Sequence, residues 1–320
     1  MMEWTDRHCR FFHRQLTRRA LLYTEMMTGA AIRHGDRRRL LGFDPREQPV
    51  AIQIGGSDPA LLAEAAKWGE DFGYCEINLN VGCPSERVQE GRFGACLMTE
   101  PHLVADCIAA MRRAVAIEVT VKCRIGVDEQ DDEQDLEAFI STVAQTGCRT
   151  FVVHARKAWL KGLSPKENRE IPPLNYERVY RLKRRHPNLT IVINGGIASL
   201  AEASAHLSRV DGVMLGRAAY HTPWLLAEAD SMFFADAPSP LTRRDIVEGM
   251  IGYTAHELAR GTYLSHITRH MLGLYHARPN GRLWRRILSE GAHRKGAGVD
   301  LLRHALDAVE GPDFRLAAAE

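Results

Sequence analysis

Asn80-Val81-Gly82-Cys83-Pro84 is the stretch of this chain best equipped for chemistry. Cys75 to Asn80 alternates and is rich in residue types that bury, which predicts a short strand. Gly82 permits a tight or left-handed backbone and Pro84 forbids a continuing ladder, so Cys83 is expected on a turn just past a strand end. In an α/β barrel that end is the catalytic face. An unperturbed thiol titrates at roughly 8.5, so near neutrality it is mostly protonated and able to donate a proton. A free cysteine is as often a small buried hydrophobe, and position alone leaves both readings open.

Further polar residues close other strand-like runs: Gln53 in VAIQIGG, Lys122 in VTVKCRIG, His154 in FVVHAR, Asn194-Gly195-Gly196, and Gly216-Arg217. Each alone reads as a satisfied structural partner. Five on one end of a barrel read as a ligand site, because the carboxyl ends of barrel strands converge there. The two glycine-bearing ends sit where barrels commonly cradle a phosphate, with Arg217 adding a fork of donors. Lys122 offers a cation to an electron-rich ring. Gln53 can pair with a ring edge, and His154 can donate to a ring or a phosphate.

The elements that must position these residues alternate. Strand-like runs fall at 20–24, 50–54, 75–80, 118–123, 150–154, 190–194 and 212–215. Helical patterns lie at 59–72, 101–115, 136–146, 176–186 and 200–207. This alternation predicts parallel βα units and an α/β fold, a TIM (β/α)₈ barrel over residues 1–235. Seven strands are countable where a closed barrel needs eight. The first strand is therefore read as truncated, with the true start expected upstream, since two open edges would invite aggregation. A first helix over 6–19 carries five arginines and is expected to be amphipathic, with a basic outer face that is either simply solvated or in contact with RNA. After a proline-bearing linker at 236–240, the periodicity is helical throughout: 242–261, 264–274, 282–290 and 299–309. A small all-α domain is expected over 241–311, with a frayed tail from Pro312.

The bulk numbers exclude several classes. At 45% hydrophobic and 26% charged residues, the composition is that of a globular protein. No apolar run approaches membrane-spanning length and the start is not a signal peptide. The seven scattered cysteines form no CxxC pair, so no disulfide framework and no metal site are expected, and the compartment is read as cytoplasmic. With a net charge of +2, a nucleic-acid partner would need a local basic patch. Two are on offer. The loop after His154 is long for a barrel connection and holds Lys161, Lys166 and Arg169 among other cations; it is a solvated flap or a binding element. The last domain clusters Arg282, Arg285 and Arg286 around Trp284, a pattern that fits contact with an RNA backbone.

The motif at 80–84, with Gly94-Ala95 downstream, resembles the signature of the tRNA-dihydrouridine synthases, and the resemblance extends over essentially the whole chain. LKGLSPKENREIPPL and GRLWRR look like the A subfamily's tRNA-engaging loop and helix. The resemblance implies reduction of the uracil C5–C6 bond at tRNA positions 20 and 20a by an FMN enzyme using NADPH, with Cys83 protonating C5. It implies FMN contacts at Gln53, Lys122, His154, Asn194, Gly195, Gly196, Gly216 and Arg217. Contacts at Met1 and Met2 are implied too, although the family's preceding strand, ending Ala-Pro-Met-Met, is reduced here to the Met-Met. Asn80 is expected to contact the target nucleotide, with tRNA held at Lys161, Lys166, Arg169, Arg282, Arg285 and Arg286. No GxGxxG fingerprint follows a strand, so NADPH is expected to visit the flavin face transiently. No membrane and no stable protein partner are expected. A flavin barrel reducing a free small molecule would leave the basic domain idle. An inactive tRNA-binding paralogue would leave Cys83 and the flavin set idle.

Overall fold

Short Val- and Ile-rich runs carrying a few polar residues build one parallel sheet. A computed structural model describes residues 1–130 and 133–311 of the chain; the tail from Pro312 lies outside the described residues. The strands are β1 Leu22–Thr28, β2 Val50–Gly55, β3 Glu76–Val81, β4 Glu118–Arg124, β5 Thr150–His154, β6 Thr190–Asn194 and β7 Gly212–Met214. They pair in chain order, β1 through β7, every neighbour parallel. This is the TIM-barrel architecture read from the βα alternation. Ile52, Ile54, Ile77, Leu79, Val119, Val121, Phe151, Val153, Ile191 and Ile193 are all fully buried. With a side-chain period of two, they share the face against the helices, and Gln53, Asn78, Asn80, Thr120, Lys122, His154 and Asn194 share the opposite face.

β1 starts two residues later and runs four residues further than the sequence pattern indicates. Its register with β2 slips between Tyr23 and Met26. At the slip the Thr24 hydroxyl accepts the Gln53 N–H at 3.0 Å, replacing a missing ladder bond. The bulge hides the strand's continuation, because an extra residue breaks the alternation.

The chain forms two compact units. One holds Met1–Met2 and Leu21–Gly216; the other holds Glu3–Ala20 and everything from Arg217 onward. The boundary expected between 235 and 241 therefore shifts. Phe11, Phe12 and Leu16 of helix Arg7–Leu16, together with Leu226, join the core of Ile246, Met250, Met271, Leu274 and Trp284. The Asp230 carboxylate accepts from the Thr17 hydroxyl and the Arg18 N–H. The proline-bearing linker thus lies inside the helical unit, not at its edge. In that unit the helix expected over 264–274 ends at Thr268. No helix among the described residues is long and apolar enough to cross a membrane.

The first helix does not have the basic outer face expected of it. Arg10 and Arg14 are buried; Arg10 donates to Thr5 O, and Arg14 to Thr17 O and Ala20 O, closing backbone acceptors around the helix ends. At its start Asp6 caps the Cys9 N–H and pairs with buried His270 and with Arg269. Burial alone would raise the Asp6 pKa, but the hydrogen bond and charge of His270 and the Cys9 N–H outweigh it and hold the carboxyl well below the usual range. A depressed carboxyl contributes stability that is present above its unfolded value, near 3.9, and lost as pH falls toward its folded one. Asp6→Asn is expected to cost about 1–3 kcal/mol at neutral pH. The gap in urea midpoint between the variant and the parent should close progressively below about pH 4.

Candidate functional site

An unbroken run of side-chain hydrogen bonds climbs the polar face of the sheet to the cysteine loop. At its foot the Glu76 carboxylate accepts from Tyr23 at 2.7 Å and from Thr120 at 2.6 Å. Asn78 donates to the Thr120 hydroxyl at 2.8 Å, and Gln53 donates to Asn78 at 2.8 Å. Asn80 donates to Gln53 at 2.9 Å and, with its own carbonyl oxygen, accepts the N–H groups of Gly82 and Cys83 at 3.0 and 2.9 Å. Asn78 is completely buried, and Gln53 and Asn80 nearly so. Each amide has its donor and its acceptor committed, which fixes its rotamer. One N–H and the carbonyl oxygen of the Asn80 amide are thereby engaged by the protein, so the residue expected to touch the target nucleotide also shapes the cysteine turn.

That turn places Cys83 at the carboxyl end of β3, half-buried, with its sulfur 3.7 Å from the Ser85 hydroxyl. Of the two conformations expected at Gly82, tight or left-handed, the turn is tight; the left-handed glycine of the motif is Gly94, at φ +76°. A β-carbon on Gly94 would lie 2.5 Å from the Cys83 carbonyl oxygen. The same carbonyl accepts the Ala95 N–H at 2.9 Å. The downstream Gly-Ala of the motif therefore works by letting a second backbone segment close over the cysteine.

Four cations surround the next strand ends. Lys122 donates to Asn194 at 3.1 Å, and Asn194 in turn donates to Met214 O at 2.8 Å, linking β4, β6 and β7. Burial, reinforced by the charge of Arg124, pushes the Lys122 ammonium down to about 8. Burial likewise lowers Arg124 to about 10, still charged at neutral pH. His154 is held well below its ordinary value, first by burial and then by the charges of Arg124, Lys122, Arg156 and Arg169, so it stands as a neutral imidazole. The site is thus positively biased and ready for an anionic group.

Gly195, at φ +116°, lies so close to His154 that a β-carbon would fall 2.5 Å from the ring; Tyr176 holds its carbonyl at 2.7 Å. Gly196 is also left-handed, at φ +72°. Met1 reaches Gly216: a β-carbon on that glycine would sit 3.5 Å from the Met1 sulfur. Met1 and Met2 both belong to this unit, and Met2 is the more exposed. Arg217 follows Gly216 directly and begins the helical unit, opening the short helix Arg217–His221.

Two residues missed by sequence reasoning organise the loops. Arg124, 3% exposed, donates to Gly82 O at 3.0 Å, Lys157 O at 3.1 Å and Asn168 O at 2.9 Å. Among the described residues it has no carboxylate partner. Asn168, fully buried, accepts the Trp159 N–H at 2.7 Å and donates to Trp159 O and Leu163 O. Gln89 adds a bridge, donating to Pro84 O at 2.9 Å and Leu160 O at 2.7 Å. The loop after His154 is therefore wound around Asn168 and tied to the cysteine turn, while Lys161, Lys166 and Arg169 stay on its exposed surface.

In the helical unit, Arg282, Arg285 and Arg286 line the exposed side of helix Gly281–Gly291. Trp284 does not join them. It is fully buried and donates its indole N–H to Met271 O at 2.9 Å, so the aromatic expected within the basic surface is core.

The chain matches the family described as Dihydrouridine synthase (Dus) over residues 1–310. It is 57% identical over 307 residues to the tRNA-dihydrouridine(20/20a) synthase of Vibrio cholerae, covering 96% of this chain and 94% of that one. It is 56% identical over 318 residues to the protein of that name from Xanthomonas campestris, covering 99% and 94%. The namesake from Escherichia coli is 58% identical over 310 residues, covering 97% and 93%. Among solved structures, a 2-naphthoyl-CoA reductase complex shares the fold at a TM-score of 0.54 and 10% identity, over 71% of this chain and 47% of that one.

Proposed function

Because the chain belongs to the dihydrouridine synthase family, we propose that it reduces the uracil C5–C6 double bond of uridines 20 and 20a in tRNA, as an enzyme of the A subfamily working in the cytoplasm. The observation that carries this reading is Cys83 at a strand end, its turn held by Asn80 at the head of the amide run. A stacked base cannot reach that position, so the target uridine is extruded from the tRNA into the barrel mouth.

The residues present fit FMN. Gly195, without a β-carbon, lets its backbone lie directly against the His154 ring, Lys122 provides a buried cation, and the amides of Gln53 and Asn194 edge the same face. Gln53, Lys122, His154, Asn194, Gly195, Gly196 and Gly216, with Met1 and Met2, are the proposed FMN contacts. Arg217 is carried from the family resemblance. When bound, FMN supplies to C6 a hydride drawn from NADPH. Cys83 gives its proton to C5 from the opposite side of the ring and is reprotonated from solvent. The sum consumes one NADPH and one proton for each dihydrouridine formed. Lys122 and Arg124 would keep the surroundings of the bound group electropositive. Lys161, Lys166 and Arg169 on the loop, and Arg282, Arg285 and Arg286 on the helical unit, are proposed to hold tRNA phosphates.

Purified protein incubated with NADPH and unmodified tRNA should yield dihydrouridine at positions 20 and 20a, read by mass spectrometry of nuclease fragments. No dihydrouridine from flavin-loaded protein would sink the reading. Gly195→Ala provides a sharper test of the cofactor site. A left-handed alanine costs about 1–2 kcal/mol, and its β-carbon would displace His154. The purified variant should carry at least roughly tenfold less flavin, since about 1.4 kcal/mol is tenfold in affinity.

A further inference from the structure

A groove of about 470 Å³ lies within the helical unit, between the turn that follows helix Arg243–Ala259 and the turn that follows helix Gly281–Gly291. Its apolar wall includes Leu258, Leu264 and Ala292, and its rim carries Tyr263, Arg294 and Lys295. Tyr263 is 72% exposed, the most exposed of the large hydrophobic side chains described. Its ring meets His266 in a T-shaped arrangement with the centroids 5.5 Å apart, and most of its surface stays open to solvent. No lining residue is acidic. The nearby carboxylate of Glu257 is engaged by the Thr262 hydroxyl and by Arg260. Arg294 and Lys295 are exposed and make no ion pair among the described residues.

An exposed aromatic ring in a groove with an apolar wall, beside two cations that make no ion pair among the described residues, matches the chemistry of a single unstacked nucleotide: a flat apolar base joined to an anionic phosphate. We propose that this groove takes one unpaired nucleotide of the bound tRNA, its base stacked on Tyr263 and its flanking phosphates on Arg294 and Lys295. The inference rests on the reading of the protein as a tRNA-modifying enzyme. It adds to the three helix arginines a contact that recognises an unpaired position and not merely charge. Stacking tolerates any base, so the groove selects tRNA shape and not sequence.

The test is equilibrium binding of unmodified tRNA to the full chain, alongside the dihydrouridine assay. Tyr263→Ala should weaken binding about tenfold, within the range for losing one stacked base, and should raise KM while leaving kcat unchanged. Tyr263→Phe, which keeps the stacking face, should bind within about twofold of the parent. The double variant Arg294→Ala/Lys295→Ala should flatten the dependence of log Kd on log salt by about 1.4–1.8, two phosphate contacts at ~0.7–0.9 each. Weakening by the double variant alone, with Tyr263→Ala binding as the parent does, would overturn the nucleotide groove and leave a plain charged surface. So would loss of binding by Tyr263→Phe equal to that of Tyr263→Ala. If the parent makes dihydrouridine and all three variants match it, only the groove reading fails. If the parent makes none, the enzyme reading fails first. Tyr263 is exposed, so an unchanged melting temperature separates each of these results from misfolding.

Discussion

Cys83→Ala is expected to slow dihydrouridine formation by about 10²–10⁴, the range for losing a positioned general acid. Fold, flavin content and tRNA affinity should all survive. The interactions that shape the turn run through its backbone: the Cys83 N–H to Asn80, and the Ala95 N–H to the Cys83 carbonyl. Alanine keeps both. The thiol itself makes only a long contact to Ser85, so little packing is lost. The defect should be confined to the step that needs a proton. NADPH consumption in the absence of tRNA should be unchanged, while consumption stimulated by tRNA should collapse. Cys83→Ser presents a hydroxyl, a far weaker acid, in nearly the same place and should restore little. A variant that modified tRNA at the parental rate would show that the proton comes from elsewhere, and Cys83 would revert to a small turn residue.

Much of this arrangement was legible in the sequence. Six of the seven strands lie within one or two residues of their expected limits, because short Val/Ile-rich runs bounded by polar ends have few other homes in an α/β chain. The exception, β1, carries a bulge at Thr24, and a bulge erases the alternation on which such readings depend. Trp284 was misjudged among its arginines, yet the period contained the answer. Gly281, Trp284, Leu288 and Gly291 recur at helical spacing and are buried, whereas Arg282, Arg285 and Arg286 fall between them. Arg10 and Arg14 were placed outside on charge alone; a guanidinium that can reach backbone carbonyls at helix ends has a use in the interior that charge does not reveal. Asn78 and Asn168 could not have been found. An asparagine inside a strand or a polar loop gives no sign of becoming a hub, because its partners are hydroxyls and carbonyls distant in the chain.

Arg124 shows most sharply what only the structure could supply, and its replacement carries the second large effect. Two positions after Lys122, it reads as an ordinary charged strand end. Buried, it grips Gly82 beside the cysteine and, at the same time, Lys157 and Asn168 of the basic loop. Arg124→Ala orphans three carbonyls, at about 1–3 kcal/mol for each that stays buried and unpaired. Activity should fall at least roughly a hundredfold, since misplacing a catalytic group by about 1 Å can cost that much. Arg124→Lys separates geometry from charge. It keeps the positive field that depresses His154, but one ammonium cannot reproduce a planar fork aimed at two loops. If the fork is what matters, the lysine variant should fail nearly as badly as alanine. Alkylation of Cys83, resolved by mass spectrometry from that of exposed Cys75, should then accelerate in both variants, together with proteolytic nicking between residues 157 and 170. If charge is what matters, lysine should restore most of the activity and leave the alkylation rate at the parental value. The two loops would then be held together by Gln89, whose amide spans Pro84 and Leu160, and Gln89→Ala should become the variant that frees the cysteine.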